Sequence, residues 1–387
     1  MKKHLFYAGL AALALASCSQ DETTSVDQSG AIGFRTALDK ATRAVTTKAN
    51  MGSFNVTAFK ADNTAANYFT DLEVKSEDNG NSWKTQKIYY WPAYDLKFTA
   101  YAPIDLSNKV SIDKDGQKIT DFQPEKLIKD QKDVVVAFNQ GGKTDHAAGV
   151  PMYFKHILSQ VQVKAKCVNE NLEVKVMGVK LGNVLSKGTF SFPQVKTEAS
   201  VALPFASWTA DTKKDFMADD AANKAGLTLT DAAQSIMFDD GNNFLMIPQQ
   251  LTAYDKDTQS DGAYIAVLCQ ISSKDGTNLT RLYPAEGANA YAFSAIPIGT
   301  KWEPGKKYVY TLTYGNHEGS GSNGGGGIVP PNQENPNNDG SDPNDPTKPT
   351  VPADPTPNKP GDKILDDPIS FTVDVQEWEE ETSNLNM

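Results

Sequence analysis

The sequence predicts an all-β protein, arranged as two β-sandwich domains in tandem, and three observations carry that prediction. Short runs alternate apolar and polar residues with a period of two. Clusters of Gly, Asn, Asp and Pro separate the runs. Helical periodicity is scarce, and only Pro124–Lys132 and Ala218–Ala225 leave room for a short helix.

The chain begins with Lys2 and Lys3, followed by an apolar run from Leu5 to Leu15 that is too short to span a bilayer. Leu15-Ala16-Ser17-Cys18 follows, a small residue before a cysteine. This is the lipobox pattern, so residues 1–17 are expected to leave as a signal peptide. The Cys18 thiol is then expected to carry lipid in the cell outer membrane. Asp21 and Glu22, just after that cysteine, resemble the export signal of surface-exposed lipoproteins.

Residues 19–30 are polar, and Ala31–Leu38 after them alternates, with Ile32, Phe34, Thr36 and Leu38 on one face. Ser53–Phe59 and Leu96–Tyr101 are the clearest strands of a first sandwich, expected over residues 44–149. Gln160–Lys166, Leu172–Val176 and Tyr308–Tyr314 alternate in a second, expected over residues 150–314. Tyr264–Ile271 is apolar throughout and suits a strand covered on both faces.

Residues 315–363 change character. A Gly/Ser run gives way to Asn, Asp and Pro, and ten of the 21 prolines fall here. So polar a segment buries too little apolar surface to fold, and it reads as a linker. A flexible chain of that length spans roughly 35–40 Å. A domain of this size has a radius of gyration on the order of 14 Å. The linker therefore reaches its own sandwich or a neighbour's equally well. Residues 364–387 contain one more alternating strand, with Ile369, Phe371, Val373 and Val375 on one face. A lone strand is unstable in water, so this one must add to a sheet.

Composition narrows the function. The formal net charge is −11 and no basic cluster stands out in the sequence, so nucleic acid is a poor partner. Only Cys167 and Cys269 remain after Cys18. They can pair in an oxidising compartment or stay as two buried thiols. His4 leaves with the signal, and His317 lies in the linker. His146 and His156 lack metal-ligand spacing, and His156 reads as structural. Asp255–Gly262 lacks the spacing and distal Glu of a calcium loop. No Gly-x-Ser-x-Gly elbow or phosphate-cradling loop exists. No enzyme chemistry and no cofactor are expected. Trp91 and Trp302 read as packing residues rather than as sugar-stacking ones.

Several stretches together resemble a family. Met152–Gln160 is similar to the F-x-H-x-L-S strand of fimbrillins, the subunits of type V pili in Bacteroides-type bacteria. Tyr89-Tyr90-Trp91-Pro92, Phe244–Gln249, Trp302–Tyr310 and Ile369–Trp378 resemble other family segments. The resemblance implies two transthyretin-like, Greek-key sandwiches. It also implies subunits exported as lipoproteins and trimmed by an arginine-specific protease. Here the cut would fall between Arg43 and Ala44, so that residues 18–43 would leave as a leader, with Ile32, Phe34 and Leu38 in its strand. Ile369, Phe371, Val373 and Val375 would then fill the vacated groove of a sister subunit, building a filament. The implied partners are other fimbrial subunits, the processing protease, membrane lipid through Cys18, and a host glycan or protein. A non-polymerising anchor or tip adhesin is the alternative. The residues leave open whether the terminal strand closes its own domain or is donated.

Overall fold

The computed structural model describes residues 30–38, 46–219, 226–238, 242–255, 258, 261–284, 291–315 and 370–377. Among them there is no α-helix, and three short 3₁₀ turns make up the helical content. Of the helix expected at Pro124–Lys132, only the turn Ile128–Asp130 forms. Tertiary pairing overrides it: Leu127 bridges Met217, and the Gln131 side chain accepts from the Leu245 amide at 2.7 Å. Of the second expected helix, Ala218 and Asp219 continue a strand and residues 220–225 lie outside the described residues.

Eleven strands position the sites. The first half supplies β1 (Phe34–Leu38), β2 (Ser53–Lys60), β3 (Leu96–Ala102), β4 (Val135–Gly141) and β5 (Val150–His156). The second supplies β6 (Ser159–Cys167), β7 (Leu172–Ser191), β8 (Trp208–Asp219), β9 (Tyr264–Asp275), β10 (Lys306–Tyr314) and β11 (Ser370–Glu377).

The first sheet runs β1-β5-β4-β3-β2 and continues through Asn67–Lys75 and Lys84–Thr85. Alternation sorts its side chains. Phe54, Val56 and Ala58 of β2, Phe98 of β3 and Phe154 of β5 share one buried core. The opposite face carries Phe59, Tyr101 and Val136.

The second half is a two-sheet sandwich. In one sheet β10 lies between β6 and β11, parallel to β6 and antiparallel to β11. The other sheet centres on β7, with β9 and Gln117–Phe122 paired to it antiparallel and β8 along it as well. Val161 and Val163 face Val174, Val176, Ile265 and Val267 across the core between them. As expected, Tyr264–Ile271 is a strand, buried at every position but Gln270.

β7 is far longer than its alternation at Leu172–Val176 suggests, reaching 20 residues. Its far end carries Phe190 into a third core. There Phe190, Ile119, Trp208 and Ile247 pack on the opposite face of the first sheet. The Trp208 indole N–H donates to the Ile157 carbonyl at 2.7 Å within this junction. The halves are therefore joined by buried apolar surface.

The seam differs from a division at residue 150. Val150–His156 is hydrogen-bonded between β1 and β4 in the first sheet. The chain changes sheet at Ile157 and Leu158, both fully buried in the junction. Val110–Phe122 also crosses over, pairing through Gln117–Phe122 with β7. Val150, Met152 and Phe154 explain the placement of β5, because they share one face and fill the first core.

Candidate functional site

The alternation at Ile32–Leu38 has a structural counterpart. Ile32, Phe34, Thr36 and Leu38 are all buried, none more than 6% exposed. β1 pairs in parallel with β5, from Phe34 opposite Val150 to Leu38 opposite Phe154. Just upstream the segment turns its other edge to a different partner. The Ile32 amide donates to the Tyr89 carbonyl at 2.8 Å, and the Trp91 amide to the Gly30 carbonyl at 2.9 Å. Residues 30–38 thus lie in a slot between β5 and the Tyr89–Trp91 segment.

Side chains fill the slot as completely as backbone bonds line it. The Phe34 ring meets Phe54 and Phe98 edge-on, with centroids 6.1 and 6.0 Å away. Burying Ile32, Phe34 and Leu38 contributes about 1.5–3 kcal/mol each. Without residues 30–38, this slot would present an apolar floor and a row of unpaired backbone groups, a template for another strand.

Two features of the slot escape the alternation pattern. One is the closing role of Tyr89–Trp91, whose only signal is the aromatic cluster itself. The other is Gly149, with φ +99° and an ideal Cβ position 3.3 Å from the Gly33 carbonyl carbon. A left-handed backbone and the close passage of Gly33 both favour glycine there.

Arg43 and Ala44 lie outside the described residues, as does Cys18. The flanks of residues 39–45 are described on both sides. Leu38 is buried, and the Thr46 amide donates to Asp133 Oδ2 at 3.0 Å.

The terminal strand β11 is placed differently from β1. It pairs antiparallel with β10 of its own chain, from Lys306 opposite Glu377 to Thr313 opposite Ser370. Phe371 and Val373 pack against the second core, and the Phe371 ring lies 6.2 Å from Tyr310. Yet from Ser370 to Gln376 no side chain of β11 is fully buried, and Val375 is 52% exposed. Ile369 lies outside the described residues.

Sequence comparison now decides the family. The model of the fimbrillin-like family matches residues 42–328. The chain belongs to that family. No curated protein sequence matches it. Among solved structures, the fimbrillin-like chain is similar to a candidate cell adhesion protein of Bacteroides uniformis, at 13% identity and TM-score 0.45, over 90% of this chain and 98% of that one. A candidate cell adhesion protein of Bacteroides ovatus matches at 14% identity and TM-score 0.41, over 73% and 91% of the two chains. A fimbrial assembly protein of Parabacteroides distasonis matches at 9% identity and TM-score 0.35, over 74% and 93%.

The remaining sequence-marked residues of this fimbrillin-like chain are packed into its cores. Trp302 is fully buried and donates to the Tyr310 hydroxyl at 3.0 Å, while Trp91 packs edge-on against Phe98. His156 is buried with its Nδ1 2.8 Å from Asp133 Oδ2. Cys167 and Cys269 are both free, buried thiols, and they sit on β6 and β9 of opposing sheets. Burial pushes the Cys269 thiol up to about 12, so it is a packing group rather than a nucleophile. Among the described residues, no helix is long and apolar enough to cross a membrane, and no three His, Cys, Asp or Glu side chains gather as a metal site.

Proposed function

We propose that this fimbrillin-like chain is a structural subunit of a cell-surface fimbrium that supports adhesion. It is exported as a lipoprotein anchored through Cys18, cut between Arg43 and Ala44, and polymerised by donating its terminal strand to the slot that β1 vacates. Its partners on this reading are sister subunits, an arginine-specific protease and the outer membrane.

The observation that carries the reading is how β11 is tethered. It lies beside β10 as an antiparallel neighbour, so a two-residue turn would connect them. The chain instead places residues 315–369 between the two, 55 residues for a gap one strand wide. Closing its own sandwich needs none of that length, and the length is enough to carry β11 to another subunit. The shallow seating of β11 and the deep seating of β1 agree with a tail that exchanges and a leader that must be cut away.

The test is to grow cells carrying Phe371→Asp and to run their surface fraction without boiling. The detergent-resistant ladder of polymer should disappear while monomer persists. Ladders of normal length from that variant would remove strand donation from the account. Mass spectrometry of the mature N-terminus should find Ala44 in polymer.

A second reading is favoured by the pairing of β11 with its own β10. On it, the chain is a self-closed anchor or tip adhesin that does not polymerise, and its mature form starts at Cys18 in cells.

A further inference from the structure

A cleft of about 760 Å³ opens beside β7 and β8, where the Gln123–Lys126 loop crosses them. Neither terminal strand contributes to it. Lys109, Lys126, Lys180, Lys213 and Lys214 line it, against only Glu125 and Asp215 of opposite sign. In a chain of net charge −11 this is a local inversion of the field. Two further carboxylates lie nearby without lining the cleft: Asp261 pairs with Lys213 at 2.9 Å and Asp121 with Lys187 at 2.6 Å.

Lys180 is the informative residue. Its neighbours Val179 and Leu181 face the second core, so alternation turns Lys180 to the opposite face of β7, at the floor of the cleft. Its side chain is 1% exposed, with Asp215 Oδ2 3.3 Å away and the Tyr264 and Phe293 rings 5.7 and 5.1 Å from its Nζ. Burial lowers its pKa to about 8. An ammonium in that position is a stability cost that an apolar side chain of similar length would avoid.

The floor is also built to hold its shape. The pairing of β7 with β8 slips between Leu181 and Val184, and Asn183 adopts φ 56°. The Asn183 amide donates to Asp215 Oδ1 at 3.1 Å, which fixes the carboxylate beside Lys180. Gly182 makes room for the Tyr264 ring, since a Cβ there would stand 2.1 Å from a ring carbon.

We propose that this cleft binds an acidic saccharide, a sugar chain bearing carboxylate or sulfate groups. Lys213 and Lys214 are exposed at the rim, where they attract the anion. The Lys180 ammonium, buried at the floor beside Asp215, adds positive charge beneath the bound anion. The Gln123 amide suits ring hydroxyls, and half-buried Pro124 offers an apolar surface to the C–H face of a sugar. An acidic peptide fits less well. Strand addition needs a free backbone edge with apolar slots. At Met217 the β8 amide is already taken by the Lys126 carbonyl, and ammonium and amide groups dominate the lining.

The test titrates the purified full chain, by calorimetry, with a heparin-derived oligosaccharide and an oligogalacturonate. A neutral dextran oligosaccharide and poly-glutamate serve as comparisons. The acidic sugars should bind, more weakly as salt rises, and dextran and poly-glutamate should not. The double change Lys213→Glu with Lys214→Glu should weaken binding roughly tenfold or more. Lys180→Met should weaken it as well without lowering the melting temperature, which separates a lost charge from a lost fold. Equal binding of dextran or poly-glutamate, acidic-sugar binding that ignores the lysine changes, or no binding of either acidic sugar would overturn the proposal. Phe371→Asp should leave the affinity unchanged, so the cleft stands or falls independently of strand donation.

Discussion

Phe34 and Phe54 meet at a right angle, ring centroids 6.1 Å apart, and through that contact β1 is locked to the middle of the first core. Phe34→Ala in the uncut chain should destabilise it by about 3–5 kcal/mol, the usual cost of emptying a buried phenylalanine site. Urea denaturation of wild type and variant measures the difference. A cost below about 1 kcal/mol would mean that the slot collapses readily, and a collapsed slot cannot wait for an incoming strand.

The two terminal strands should also differ in protection. All but Arg35 of β1 are buried, whereas from Ser370 to Gln376 every β11 side chain keeps some exposure. Local opening follows the amount of buried surface. Hydrogen exchange followed by mass spectrometry should therefore show β11 amides exchanging well before those of β1. Equal protection would argue that the tail is a permanent part of its own sandwich, which favours the self-closed reading.

Much of this arrangement was legible in the residues, and the limits have physical causes. Alternation marked β1, β2, β3, β6, β10 and β11, because the two faces of a strand meet different surroundings and leave a period-two trace. It could not mark the full length of β7, whose glycines and bulges break the trace at Gly178 and between Leu181 and Val184. It misplaced Val150–His156, because a strand buried on both faces carries no label saying which sheet it joins. The lysine cleft was invisible for another reason. Lys109, Lys126, Lys180 and Lys213 are scattered along the chain, and only the crossing of the Gln123–Lys126 loop over β8 brings them together.

Alkaline stability follows from the tyrosines of β10. Tyr310 and Tyr314 are buried, and desolvation raises both, Tyr310 to about 12 and Tyr314 well above its ordinary 10. The folded state therefore keeps protons that the unfolded state releases near pH 10. The stability they contribute is complete below that pH and is lost as pH rises toward 12 and beyond, at about 2–3 kcal/mol from Tyr310 alone. Lys180 acts in the opposite sense. Its lowered pKa makes stability rise between pH 8 and its ordinary 10.5. The melting temperature should thus climb slightly from pH 7 to 9.5 and fall steeply beyond. The early climb should vanish in Lys180→Met. Tyrosinate absorbance that titrates fully near pH 10, before any unfolding, would contradict the burial of these rings.

Asp133 ties Thr46, just downstream of the proposed cut, to the junction between the halves. Its Oδ2 accepts from the Thr46 amide at 3.0 Å and lies 2.8 Å from His156 Nδ1. Asp133 is 5% exposed and His156 2%, so neither hydrogen bond is readily replaced by water. Asp133→Ala removes the partner of both groups and should cost about 1–3 kcal/mol for each buried polar group left unsatisfied. Asp133→Asn keeps one carbonyl oxygen and should cost less. Thr46 lies just downstream of the proposed cut at Arg43, so the alanine variant should also loosen the chain that follows it. Incubated with a lysine-specific protease, the variant should be cut after Lys48 faster than wild type. If that rate is unchanged while stability drops, Asp133 supports the junction alone and the new N-terminus is held by something else.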